Sequence, residues 1–298
     1  MAPSSSGGKC PQGVAWPSSG TVSTAGPGST SPPGPETAQG GIPSYSPSSV
    51  DLFLRCPALW RLTQQGWKAR VQPPWTPNRL VGTAIHAGLK FLLLQYNHQG
   101  PPGWSVSQAL PAALQTIQEG WEEQETWTIP TLQKLTERGL KLALGSSLWE
   151  GVQGVVLNDV DVYGRRPDVV LKKAQGLSLW DLKVPLSLDA RWEGARLAEY
   201  DHSWQLLDYA HHVALYLAEP IVEGGVCLIV LGPRQHVVLH PVSLTLERVN
   251  HWYESAQEVW RAMYEVETGQ RTAWQALTAC TNKGLHFGRP RCEMYEAC

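Results

Sequence analysis

From Gly151 onward the chain changes texture in a way that leaves few architectures open. VQGVVLNDVDVYG, RPDVVLKK and LSLWDLKV are short, rich in Val and Leu, and separated by turn residues. They read as three strands of a meander. SWQLLDYAHHVALYLAE then reads as a helix, GGVCLIVLGP and HVVLHPVSL as two more strands, and LERVNHWYESAQEVWRAMYEVETG as a long helix. Strands and helices in that order predict a mixed α/β layered fold.

The preceding segment is helical in pattern. Ser48 or Ser49 can cap a helix in which Leu52, Phe53, Cys56, Leu59 and Trp60 share one apolar face. QPPWTPN reads as a loop and LVGTAIHAGLKFLLLQY as a second, largely buried helix. The pattern from Val106 to Leu148, broken by Pro130, predicts a helical insertion or lid, residues 104–150. Ahead of all this, the first fifty residues hold twelve Ser, nine Gly and nine Pro, with only Lys9 and Glu36 charged. So little apolar surface cannot offset the entropy of ordering, so residues 1–43 are expected to be a disordered tail and 44–298 one domain.

Charge excludes one class of function. With 24 basic and 26 acidic residues the formal net charge is −2, which rules out a polybasic, histone-like protein but not a local basic groove. No apolar run reaches the roughly 18–20 residues of a membrane span. Lys9 is not followed by the apolar stretch of a secretory signal. The expectation is a soluble protein of the cytoplasm.

One constellation carries chemistry. Asp168, in GRRPD, is followed thirteen residues later by Asp181-Leu182-Lys183. Side chains alternate along a strand, so Asp181 and Lys183 project from one face while Leu182 takes the other. Asp168 begins the adjoining strand and can converge on them. Two neighbouring carboxylates repel, and a hard divalent cation, Mg²⁺ or Mn²⁺, relieves that repulsion. Lys183 beside it can orient or deprotonate a water and stabilise charge on phosphorus. The competing reading is a surface salt pair worth under about 1 kcal/mol, but Leu177, Leu179, Trp180, Leu182 and Val184 make the strand too apolar for an outer edge. His86, one turn after Gly82, is either a satisfied core histidine or a third ligand, with Gly82 admitting close backbone approach. Gln205 and Tyr209 share one helix face, where an amide and a phenol can bond a nucleotide. His202, His211 and His212 read as solvated helix positions, and Asp159 and Asp161 as a strand face near a turn.

Cys280, Cys292 and Cys298 fall within the last nineteen residues. Either something binds these thiols or they are free, and Cys56 on its apolar face has the further reading of a small buried hydrophobe.

Taken together, SPSSVDLFLRCP, GTAIH, GRRPD, DLK and QLLDY, in that order over roughly residues 44–298, resemble the PD-(D/E)XK nuclease superfamily. The closer likeness is to its RecB/AddB-like exonuclease branch, which includes CRISPR-adaptation and phage enzymes. The resemblance implies a restriction-endonuclease-like core, a central mixed sheet flanked by helices. It implies a metal held by His86, Asp168, Asp181 and the Leu182 carbonyl, Lys183 as catalytic lysine, and Gln205 and Tyr209 as DNA contacts. It also implies a [4Fe–4S] cluster on Cys56, Cys280, Cys292 and Cys298 that staples the tail, residues 280–298, with zinc as the rival occupant. The implied activity is a metal-dependent DNA exonuclease on single strands or ends, in recombination, repair or phage DNA processing, in a bacterial or phage-infected cell and with a helicase or recombination partner. A structure- or site-specific endonuclease and a catalytically idle DNA-binding adaptor are the alternatives. Arg165, Arg166, Lys172, Lys173, Arg271, Lys283, Arg289 and Arg291 are placed to form a basic rim.

Overall fold

Five strands form one sheet, and the central one is apolar because both of its edges and both of its faces are covered. In the computed structural model the described residues are 37–38, 42–66, 76–95, 103–121, 127–186, 194 and 197–272. The expected disordered tail and the cysteine-rich tail therefore lie almost wholly outside them. Strands β1 (Val152–Asn158), β2 (Val169–Lys173) and β3 (Gly176–Lys183) form the expected antiparallel meander. Strand β4 (Ile221–Val230) runs parallel to β3, and β5 (His236–Pro241) returns antiparallel to β4. The order is β1-β2-β3-β4-β5. A parallel neighbour cannot be reached by a tight turn, and the crossover from β3 to β4 contains the helix read from SWQLLDYAHHVALYLAE.

Alternation along β3 divides the core in two. Leu177 and Leu179 point to a layer that holds Phe53, Trp60, Leu206, Trp252 and Trp260. These come from helices α1 (Pro47–Arg55), α2 (Pro57–Gln64), α6 (Trp204–Leu217) and α7 (Leu246–Glu267). Trp180 and Leu182 point to the other layer, with Ile85, Leu89, Ile117, Leu132 and Leu140. Its helices are α3 (Pro77–Gln95), α4 (Val106–Gly120) and α5 (Ile129–Leu144). A fully buried Leu or Ile contributes on the order of 1.5–3 kcal/mol, so each layer is a substantial core.

Local expectations sharpen at three places. The first amphipathic stretch is two helices. Pro57 disfavours helical backbone in the residue before it, and Cys56 is extended (φ −160°, ψ 96°), ending α1 and capping α2 through its Sγ, which accepts from the Leu59 N–H at 3.4 Å. Within the segment 104–150, read as a helical insertion or lid, Ala109, Ala113, Ile117, Leu132, Leu140 and Ala143 are buried in the second core. Pro130 sits in the first turn of α5, where a missing N–H is harmless. Strand β1 ends at Asn158, and a turn with Asp159 and Tyr163 at positive φ leads on to Asp168.

Candidate active site at the end of the central strand

Asp181 and Lys183 leave β3 on the side of α6. Lys183 Nζ lies 2.8 Å from Asp181 Oδ2 and 3.1 Å from Oδ1. The Asp181 side chain is 4% exposed and that of Lys183 37%, so the acid is buried while the ammonium reaches solvent. Antiparallel pairing of Val169 with Trp180 brings Asp168, one step before β2, alongside. Asp168 Oδ2 accepts from the Leu182 N–H at 2.7 Å. From the opposite layer, His86 on α3 places Nε2 3.1 Å from the Leu182 carbonyl and Nδ1 3.4 Å from Asp168 Oδ1. A carbonyl only accepts, so Nε2 carries a proton there. Gln205, in the first turn of α6, donates from Nε2 to Asp181 Oδ1 at 3.2 Å and to the Tyr209 hydroxyl at 3.0 Å. The two helical layers thus meet at the end of one strand. Gly82 is not needed for close approach: a Cβ there would make ordinary contact with Val184 at 3.8 Å.

The electrostatics are those of a crowded acid pair. The Asp181 carboxyl is pushed up to about 6, chiefly by burial, with Lys183 opposing the rise and the neighbouring Asp168 adding to it. Burial also opposes ionisation of Asp168, yet His86, the Leu182 N–H and Lys183 together hold it below the ordinary carboxylate range. Burial disfavours the charged forms of His86 and Lys183, but Asp168 outweighs this for His86 and Asp181 for Lys183, and both pKa values are raised. Tyr209 is raised, chiefly by burial. The two neighbouring carboxyls are thus pushed in opposite directions, a divergence that recurs where protons are transferred.

Beside this cluster opens a cavity of about 740 Å³, lined by Leu54, Arg55, Arg166, Trp204, Gln205 and Tyr209 among others. Arg55 and Arg166 are largely exposed and lie 2.7 and 3.9 Å from Asp51 and Asp161. The hydroxyl of Ser203, which caps α6 by accepting from the Leu206 N–H, also borders it.

Several expectations are corrected here. Among the described residues no group of three or more His, Cys, Asp or Glu side chains is arranged to hold a metal ion. This overturns the Mg²⁺ or Mn²⁺ expected on His86, Asp168, Asp181 and the Leu182 carbonyl. The physical reason is that these donors face internal partners: Asp181 meets Lys183 and Gln205, Asp168 meets Leu182 and His86, and the Leu182 carbonyl accepts from His86. Among the described residues nothing holds the expected [4Fe–4S] cluster or its zinc rival either. Cys56 Sγ is occupied as the cap of α2, while Cys280, Cys292 and Cys298 lie outside the described residues. Most of the described part of the basic rim dissolves as well. Arg165 is buried; Lys172 and Lys173, at the far end of β2, pair with Glu219 and Glu223; and Arg271 lies 3.7 Å from Glu265. Lys283, Arg289 and Arg291 are outside the described residues. His212 is fully buried against Asp208, and His211 stacks on Tyr253 with ring centroids 4.1 Å apart, so neither is a solvated position. Asp159 and Asp161 belong to the turn after β1; Asp161 Oδ1 accepts from the Gly164 N–H.

Sequence reasoning missed the wall of the cavity. Leu54, Arg55 and Trp204 come from α1 and α6, and no spacing in the chain links them; Arg166, expected in the basic rim, lines the same cavity.

A family model described as the PD-(D/E)XK nuclease superfamily matches residues 44–298. Among solved structures, a Eubacterium rectale protein named "Putative exonuclease" is similar at 14% identity and a TM-score of 0.44, covering 84% of this chain and 91% of that one. No curated protein matches.

Proposed function

The chain belongs to the PD-(D/E)XK nuclease superfamily, and from that premise we propose that it hydrolyses DNA phosphodiester bonds at the end of β3. The convergence of Asp168, Asp181 and Lys183 beside an open cavity carries this reading. Lys183, half in solvent, is the group that meets the scissile phosphate and offsets charge developing on its oxygens. Asp181, ionised at neutral pH yet more basic than an ordinary carboxylate, takes the proton of an attacking water. The water oxygen bonds to phosphorus, the ester P–O bond breaks, and the leaving oxygen is protonated from solvent. Asp168 fixes the end of β3 through the Leu182 N–H, and His86 steadies Asp168 from the second layer. Gln205 and Tyr209 line the approach, where amide and phenol can bond a phosphate or a base edge.

The finer reading is an exonuclease of the RecB/AddB-like branch acting on single strands or ends, in recombination, repair or phage DNA processing alongside a helicase or recombination partner. The ordered motifs GTAIH, GRRPD, DLK and QLLDY support it, and Trp204 at the cavity supplies a surface on which a base can stack. The test uses 5′- and 3′-labelled single- and double-stranded DNA, linear and circular, with arms containing EDTA and containing Mn²⁺ so that the result does not depend on one buffer. Linear DNA is expected to shorten from its ends while circles stay intact, and Lys183→Ala is expected to cut at least about a hundredfold more slowly. Cleavage of circles would replace the exonuclease with the endonuclease; no cleavage in any arm would leave the adaptor reading.

A further inference from the structure

Three residues before Asp168, in the turn that carries it, Arg165 is buried with a side chain only 3% exposed. Its five N–H donors all have acceptors. Nε donates to Asp208 Oδ2 at 3.0 Å and Nη2 to Asp208 Oδ1 at 3.3 Å, a bidentate pair. Nη1 donates to the Tyr163 carbonyl at 2.7 Å and to the Ser44 hydroxyl at 3.0 Å, and Nη2 also to the Tyr45 carbonyl at 3.3 Å. The guanidinium carbon lies 6.0 Å from the ring centroid of Trp260 on α7.

Asp208, 2% exposed, sits on α6 immediately before Tyr209 and three residues after Gln205. One guanidinium therefore ties together the turn bearing Asp168, the helix bearing Gln205 and Tyr209, and the stretch at residues 44–45 that leads into α1. A buried ion pair adds little net stability over a well-packed apolar pair of the same shape. Its distinctive contribution is geometry: a planar fork satisfied at all five donors admits one placement of its partners.

We propose that Arg165 is a positioning residue that clamps Asp208 and so holds Gln205 and Tyr209 against Asp181. This rests on the nuclease reading of the site above. Arg165 does not touch substrate. It sets the height and rotation of α6 relative to the turn, and the 3.2 Å contact between Gln205 and Asp181 depends on that setting.

A double-mutant cycle tests it. Arg165→Lys keeps the charge but loses the fork, and is expected to slow cleavage about tenfold in the otherwise native enzyme. In a Gln205→Ala/Tyr209→Phe background the same change is expected to slow cleavage less than about twofold, because nothing is left to position, while its lowering of the unfolding temperature persists. An equal slowing in both backgrounds would overturn the proposal and leave Arg165 a purely structural residue. Asp208→Asn, which retains shape and one acceptor, replaces Arg165→Lys in the cycle should the latter not fold. Should Gln205→Ala/Tyr209→Phe cleave like the native enzyme, the nuclease reading of those two residues fails, and amide hydrogen exchange decides the clamp separately. Faster exchange over residues 204–209 in Arg165→Lys, with residues 177–183 unchanged, supports the clamp; unchanged exchange in both segments overturns it.

Discussion

At the scale of single residues, the site sets a buried acid beside a half-exposed base, and that asymmetry decides what substitution does. Breaking a buried ion pair ordinarily costs about 3–5 kcal/mol because it strands a charge. Lys183 is 37% exposed, so removal of its partner leaves an ammonium that water can reach. Asp181→Asn is therefore expected to leave stability within about 1 kcal/mol of native, or above it, since it also removes a buried charge whose desolvation opposes folding. Cys227 behaves differently. It lies on β4 opposite Leu182, and burial pushes its thiol up to about 12 from 9.0. A raised acid contributes stability in full below the unfolded value and loses it as pH rises, so between pH 9 and 12 the stability of the chain falls by up to about 1.4 kcal/mol per unit from this group. Urea denaturation at pH 8, 9 and 10 checks this: the decline above pH 9 should be shallower in Cys227→Ala than in the native chain, and parallel declines would refute it. The pair Asp181 and Lys183 was legible in the sequence because period-two alternation on an apolar strand is a local rule. The contact of His86 with Leu182, and that of Arg165 with Asp208, were not, because separations of 96 and 43 residues are set by packing rather than by spacing.

At the scale of elements, the five strands and both long carboxyl-side helices follow from hydrophobic periodicity, whereas pairing partners do not. Nothing local makes β4 a parallel neighbour of β3; that follows from the crossover through α6. The break at Cys56 was written in the chain as Pro57, but an unbroken apolar stripe across it concealed the signal. Helix α5 gives an element-scale prediction. Gly139 ought to gain about 1 kcal/mol of helix propensity on change to Ala, yet a Cβ there would stand 2.1 Å from Ile85 Cδ1 and 3.1 Å from its Cγ1. Overpacking of a filled interior costs about 1–3 kcal/mol, so Gly139→Ala is expected to be destabilising by up to about 2 kcal/mol after the propensity gain is offset. Ile85 adjoins His86, so the same variant should also slow cleavage. A rise in unfolding temperature would show that α3 and α5 can part without cost.

At the scale of the whole molecule, the sheet separates two apolar cores, and the site occupies a strand end where helices from both layers converge. His86 comes from one layer and Gln205 from the other, while Asp168, Asp181 and Lys183 come from the sheet between them. The mixed α/β class could be read from element order. The helices from 104 to 150 could not be placed, since an apolar stripe records that a face is buried without recording what buries it. Among the described residues no helix is long and apolar enough to cross a membrane. Cleavage at the end of β3 is decided by the single-turnover rate of Asp181→Asn, measured together with its urea midpoint. The rate is expected to fall at least about a hundredfold while stability stays within about 1 kcal/mol of native or rises; a native rate, or a loss that only tracks unfolding, would refute phosphodiester cleavage there.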